Sequence, residues 1–362
     1  MKKLLVALGI IILIIVLICT ALAVGYIILQ KDSLGMDRGE GTVEVVIEQG
    51  EGVDSIIAKF KNNDVIKYDF WYKFYLKKTN KAAEIQTGTF TLEKNLDYDE
   101  ITKIITTTQN KRKEVKVTFP EGSTAIQFAN IMEKNGLCTA EEFLEVANNG
   151  DFSDLKFWNK ISTEEPRFLK AEGYLAPNTY FFFEDDTVYN MVHKLYEQFD
   201  SLITDEMYAR MEERNLTFTQ TITLASLVQE EAGDPINQPG VAGVFSNRLK
   251  ENSPYPKMGS DVTWWYVTDF IRPYFGGEES TPSEIVNNYW TEDGYTESRI
   301  GLPVGPISCP GIDAINAALY PEEHNYYFFL TDLTGKYYYA NTYDQHLNNV
   351  AQMKRVNASI EE

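Results

Sequence analysis

The sequence predicts an α+β protein in three parts: an N-terminal transmembrane helix, a small βααβ unit and a larger mixed α/β unit. Three observations carry this. The first is an uncharged, almost wholly apolar run from Leu4 to Leu29. The second is a β-rich segment followed by Gly-Glu-Gly and two helix-type stretches. The third is an alternation of helices and short strands from about residue 115 to 352. Of 362 residues, 44% are hydrophobic and 24% charged, which suits folded units better than disorder. The formal net charge of −20, with no basic run beyond Lys111-Arg112-Lys113, repels phosphate backbones. Nucleic acid is therefore not expected as a partner, and the same charge argues against a surface built for anionic lipid.

The apolar run of 26 residues would be about 39 Å long as a helix, enough to cross a bilayer core with some tilt. Lys2 and Lys3 precede it, which favours a cytoplasmic stub at 1–3, an anchor at 4–29 and folded parts outside the cytoplasm. A cleaved signal peptide is the rival, because Ala21-Leu22-Ala23 fits a cleavage site. The run is longer than an ordinary signal core and continues past Ala23, so a retained single-pass anchor is favoured. Residues 30–42 are polar and glycine-rich and read as a linker.

Residues 43–112 then read as strand VEVVIEQ, a helix bearing Ile56, Ile57 and Phe60, an aromatic helix around Phe70 to Tyr75, a strand at Gly88 to Leu92 and a helix near 98–108. A similar start recurs at Val115 to Gly122, followed by a helix with Ile126, Ala129, Ile131 and Met132. The two strand–Glu-Gly–helix stretches look like an internal repeat of about 70 residues, with chance similarity as the alternative. The larger unit spans 113–352, with a tail at 353–362. It closes in a strand at Tyr326 to Leu330 and a hairpin through Leu333-Thr334-Gly335.

The most informative helix is predicted over Phe218 to Ala232. Thr217 with Gln220 makes a capping-box pattern, Gly233 is placed for the C′ position, and Pro235 prevents continuation. Leu224, Leu227 and Val228 centre its apolar stripe, flanked by Ala225 and Ala232, while Gln229 and Glu230 point elsewhere. Glu231 falls within the stripe. Desolvation and the negative end of the helix dipole both oppose its ionisation, as a general acid working near neutral pH requires. The alternative is a frayed helix end where Glu231 reaches solvent or pairs with a cation.

Several segments together carry a family resemblance. Leu224 to Ala232 (LASLVQEEA) resembles the LASIIEKEA helix of the endolytic murein transglycosylases, the YceG-like family. Val241 to Leu249, Met258 to Thr263, Gly301 to Gly311 and Ala171 to Tyr180 are similar to further motifs of that family, in its order. The sequence departs from the pattern at Asn178, Gly259, Val262, Cys309 and 293–298. The resemblance covers the anchor and essentially everything from 43 to 352, and maps the catalytic glutamate onto Glu231. It implies that residues 43–112 form a LysM-like, glycan-binding unit and that the substrate is the peptidoglycan glycan strand. It further implies cleavage between N-acetylmuramic acid and N-acetylglucosamine to leave 1,6-anhydro ends, and work beside wall-synthesis enzymes.

Around Glu231, the expected substrate-binding residues are Glu172, Asn178, Ser226, Arg248, Ser260, Asp261, Thr263 and Ser308. Ser260, Asp261 and Thr263 either line the cleft or form a capped turn; Glu172 and Asn178 are equally readable as turn residues. Arg248 lies off the Val241/Val244/Phe245/Leu249 stripe and either meets a carboxylate, such as Asp261 or a substrate group, or is solvated. Ser308 and Cys309 sit in a loop that reads as rigid. Cys138 and Cys309 are open to pairing outside the cytoplasm. Neither metal nor cofactor is expected, since His193, His324 and His346 lack ligand spacing. Two rivals remain: a non-catalytic, membrane-tethered wall-binding or division scaffold, and a two-carboxylate hydrolase using Asp261.

Overall fold

The computed structural model describes residues 2–107, 113–162, 167–277, 280 and 299–361. Lys111 and Arg112 of the basic run and the departing segment 293–298 lie outside the described residues. The chain divides into two compact units, Met1–Lys113 and Glu114–Glu362.

In the first unit, α1 (Lys2–Ser33) contains the predicted anchor and is exposed on all sides from Ile12 to Ile28. It runs further than expected. Gln30 to Ser33 are its last turn rather than linker, because Asp32 is buried and tied down by the residues that follow. Asp32 accepts from the Lys67 and Tyr68 amides at 3.0 and 3.1 Å and from the Tyr98 hydroxyl at 2.5 Å. It also pairs with Arg38 at 3.5 Å.

Then follow β1 (Thr42–Ile47), α2 (Val53–Asn62), α3 (Asp69–Thr79), β2 (Gly88–Glu93) and α4 (Tyr98–Thr106). β1 and β2 pair antiparallel, Val45 opposite Phe90, and their alternate side chains turn inward. That inner face packs on Phe60, Tyr72, Tyr98, Ile101 and Ile105, all essentially inaccessible to water. Asp97 and Glu100 form a capping box that starts α4.

The second unit begins with the same β–α–α–β order. β3 (Glu114–Thr118), α5 (Ala125–Lys134) and α6 (Ala140–Asn149) lead, through a longer connection, to β4 (Thr179–Phe183), which pairs antiparallel with β3. Capping boxes at Thr124/Gln127 and Thr139/Glu142 start its two helices. Next come α7 (Val188–Leu202), α8 (Asp205–Glu213), α9 (Phe218–Glu231), α10 (Gln238–Leu249) and α11 (Val262–Tyr266), which continues through a π-type turn at Val267–Ile271. α12 (Ile312–Leu319), the hairpin β5 (Phe328–Thr331) and β6 (Tyr337–Ala340), and α13 (Tyr343–Glu361) complete the unit. Residues 353–361 continue α13 and do not form a separate tail.

α9 is the central helix, with α10, α11 and α12 packed on it. Its Thr217–Gln220 capping box is present as the sequence predicts. The helix is not one-sided, however. Thr221, Thr223 and Ser226 are buried as completely as Leu224 and Leu227, and Gln229 nearly so, since neighbours cover it all round. Its end also differs from expectation. Ala232 turns extended (φ −128°), and Gly233 is not among the described residues with left-handed φ, so no glycine cap forms.

Candidate active site

A cleft of about 920 Å³ opens at the C-terminal end of α9. Glu231, Arg248, Gly259 and Asp261 line its polar part; Tyr255, Trp265, Phe328, Tyr343 and His346 supply aromatic walls. The half-buried Glu231 is the last residue of α9 and faces this space.

The Ser260 hydroxyl donates to Glu231 Oε1 at 2.6 Å, and the Tyr337 hydroxyl donates to the Glu231 main-chain carbonyl at 3.3 Å. Burial raises the Glu231 pKa above the usual carboxylate range. The Ser260 hydrogen bond opposes that rise, the Asp261 charge adds to it, and the Arg248 charge opposes it. The resulting group is a carboxyl that holds its proton beyond ordinary carboxylate pH, at the edge of a cavity wide enough for a ligand.

Arg248 approaches Glu231 without an ion pair within 4 Å among the described residues. Its Nε donates to the Tyr327 carbonyl at 2.7 Å and its Nη1 to the Met258 carbonyl, with the guanidinium 5.4 Å from the Phe328 ring centre. The expected carboxylate partner is thus replaced by two main-chain carbonyls, which hold the β5 strand start and the 258–260 loop together. Burial lowers its pKa to about 10, and Glu231 counteracts that shift. Gly259 makes the approach possible. Its φ is +56°, and a Cβ there would lie 3.0 Å from Arg248 Nη1.

Asp261 is exposed at the cleft with no side-chain cap bond to α11, so the expected capped turn is not made by its carboxylate. Thr263 is buried and does not line the cleft; its hydroxyl donates to the Ser260 carbonyl at 2.9 Å and braces the loop.

The remaining expected contacts lie away from the cleft. Ser226 is fully buried. Its Oγ donates to the Thr223 carbonyl at 2.8 Å and accepts from the Ile307 amide at 3.1 Å. Gln229, read from sequence as pointing elsewhere, takes the Gly311 amide on its Oε1 at 2.9 Å. With Cys309 N–H donating to Ser123 O at 2.9 Å and Gly122 N–H to Cys309 O at 3.0 Å, these bonds fasten the 307–311 loop between α9 and the turn before α5. Ser308, in that loop, is fully buried. Cys309 is free and buried, as a result of which its thiol pKa is pushed well up; Cys138 is free as well.

Glu172 is also fully buried, out of a ligand's reach. Its Oε1 accepts from the Ala125 amide and its Oε2 from the Tyr266 hydroxyl, both at 3.0 Å. Burial raises its pKa to about 8. Asn178 stays on the surface at the head of β4, its Oδ1 accepting from the Thr179 amide at 2.7 Å. The aromatic walls at Tyr255, Trp265 and Tyr343 were not singled out in the sequence. Tyr255 and Trp265 flank the Met258 to Thr263 loop, which was the available signal.

The YceG-like family profile matches residues 45–352. A Streptococcus pneumoniae protein named endolytic murein transglycosylase is 27% identical over 86% of this chain, and the match spans 58% of that protein's own length. A Bacillus subtilis protein of the same name is 26% identical, covering 92% of this chain and 88% of its own. A YceG-like protein structure from Listeria monocytogenes, 24% identical, covers 86% of this chain and 99% of its own with a TM-score of 0.53, which supports the fold. The profile match extends over both units and includes α9 and the cleft, and so the chain belongs to the YceG-like family.

Proposed function

We propose that this protein is a membrane-anchored endolytic lytic transglycosylase. It would cut peptidoglycan glycan strands between N-acetylmuramic acid and N-acetylglucosamine outside the cytoplasm, with Glu231 as acid and then base. The observation that carries this reading is Glu231 itself: a carboxyl whose pKa burial raises, held by Ser260 in a cleft with sugar-sized aromatic walls. The names of the two relatives support the same reaction class.

In this mechanism Glu231 protonates the glycosidic oxygen as its bond to the muramyl C1 breaks. The muramyl C6 hydroxyl then attacks C1 and returns its proton to Glu231. One C–O bond breaks, one forms, the carboxyl is regenerated, and no water is consumed. Raised pKa serves the first step, while Ser260 keeps the carboxylate competent for the second. Tyr255, Trp265 and Phe328 offer faces on which sugar rings stack.

α1 supplies the anchor, and the βααβ unit at 43–112 is read as a LysM-like glycan-binding module. Wall-synthesis enzymes are natural neighbours for such a protein, since nascent strands are its substrate.

Asp261, in the same cleft as Glu231, keeps a two-carboxylate hydrolase as the second reading. Mass spectrometry of uncrosslinked glycan strands digested by the wild type beside Glu231→Gln separates the readings. Anhydro-muramyl ends with the wild type alone are expected. Reducing ends would show hydrolysis, and no new ends from either protein would leave a binding scaffold.

A further inference from the structure

α3 has the sequence DFWYKFYLKKT, and its two faces differ sharply. Tyr72 and Leu76 are buried in the core of the small unit, while Phe70 and Phe74 are 58% and 53% exposed on the other side. Trp71 stacks on Phe74, ring centres 5.3 Å apart at 14°. Phe70 and Phe74 thus form an exposed aromatic face, with the half-buried Trp71 joining it to the core of the unit, an uncommon feature for a surface meeting only water.

The position of this face relative to α1 says what covers it. Asp32, in the last turn of α1, is locked to the Lys67 and Tyr68 amides immediately before α3, so the helix joins the unit through a buried clamp. Six residues earlier, about 9 Å along the helix axis, the Tyr26 ring meets Trp71 edge-on with centres 6.5 Å apart. Gln30 donates to the Tyr26 hydroxyl at 2.8 Å. α3 therefore reaches back along α1 toward its apolar stretch. About 20 residues from Leu4 complete the hydrocarbon core, so the last part of the anchor at 4–29, with Tyr26, lies in the interfacial layer. Tyr26 and Trp71 then fall at the depth where aromatic rings concentrate, between acyl chains and headgroups.

Charge agrees locally although not globally. On α3, Lys73 pairs with Asp54 and Asp69 with Lys61, and Lys77 and Lys78 are the exposed cations of its last turn, within a chain of net charge −20. Screening confines each charge to about 10 Å, so the lysines beside the rings decide what a lipid headgroup meets. Their long stems suit an interface, with the ammonium groups reaching phosphates while the methylenes lie among the rings.

We propose that the Phe70–Trp71–Phe74 face of α3 is seated in the headgroup layer of the membrane that α1 crosses. The small unit is then held flat on the lipid surface and does not swing on a tether. This rests on the reading of α1 as a membrane anchor.

The test uses the full chain in vesicles of phosphatidylethanolamine and phosphatidylglycerol. Cys19 and Cys138 are replaced by serine, and single nitroxide-labelled cysteines are introduced at Ile14, Phe70, Phe74 or Thr91. Thr91 is exposed on the sheet face turned away from the helices. Collision rates with oxygen and with a water-soluble nickel chelate report the depth of each label. The expected result is the deepest position for Ile14, a several-fold higher oxygen-to-nickel ratio at Phe70 and Phe74 than at Thr91, and a water-like Thr91. A deep Ile14 with Phe70 and Phe74 as wet as Thr91 overturns the seating and leaves the anchor standing. A water-like Ile14 overturns the anchor reading and the seating with it. Labels at Phe70 and Phe74 that are wet on vesicles but become shielded when glycan strands are added would make this face a sugar-binding one.

Discussion

Ser260 Oγ lies 2.6 Å from Glu231 Oε1, joining the end of α9 to the loop that carries Asp261 into the cleft. This contact orients the acid. It also offsets part of the pKa rise that burial and Asp261 impose, because a hydroxyl donor stabilises the carboxylate form. The loop is braced in turn by Thr263 at the Ser260 carbonyl and by Arg248 at the Met258 carbonyl.

Glu231→Gln keeps the size of the side chain and an acceptor for Ser260 but removes the transferable proton. Formation of anhydro ends is expected to fall by about 10²-fold or more, with the thermal midpoint unchanged or slightly raised. Wild-type rates in this variant would remove Glu231 from the mechanism.

The pH profile of strand cleavage should move in opposite directions in two neighbours of Glu231. The acid must be protonated, so activity falls as pH rises through its pKa. Asp261→Asn removes a charge that raises that pKa and should shift the alkaline limb to lower pH. Ser260→Ala removes a bond that lowers it and should shift the limb to higher pH. Coincident limbs in both variants would mean another group sets the profile.

Glu172→Gln tests the buried carboxyl behind the site. Its folded pKa of about 8 lies above the ordinary value of 4.5, so the folded state binds more protons than the unfolded one between those values. The stability it contributes is full below pH 4.5 and is lost as pH rises towards 8, by about 1 kcal/mol per pH unit. Denaturant melts at several pH values should therefore be flatter for Glu172→Gln than for the wild type. Parallel pH dependences would contradict the raised pKa.

Asp32→Asn strands the buried Arg38 charge in the small unit. Local stability, read by hydrogen exchange at the Val45 and Phe90 amides, should drop by about 3–5 kcal/mol. Replacing Arg38 by Met in the same chain should recover most of the loss. An unchanged exchange rate in Asp32→Asn would show that the clamp does not stabilise this unit.

Much of this protein is legible in its residue order, because the relevant signals are local. An apolar run without charges specifies the long N-terminal helix α1, alternating side chains specify β1 and β3, and Thr217 with Gln220 specifies where α9 starts. The 3.6-residue period also placed Glu231 beside Leu227 and Val228 before any neighbour was known. The tertiary structure decided everything that depends on what packs against a residue from far along the chain. Covering by α10, α11 and α12 buries the polar flank of α9, which makes loop anchors of Ser226, an expected substrate contact, and of Gln229, read from sequence as pointing away from the apolar stripe. Closure of the core over Glu172 buries its carboxyl, and capture of Asp32 by the Lys67 and Tyr68 amides turns the first residues of a presumed linker into a fixed joint. Local propensity depends on a few neighbouring residues. Burial and hydrogen-bond partnership depend on chain folding that brings distant segments into contact, and no single window of sequence records that.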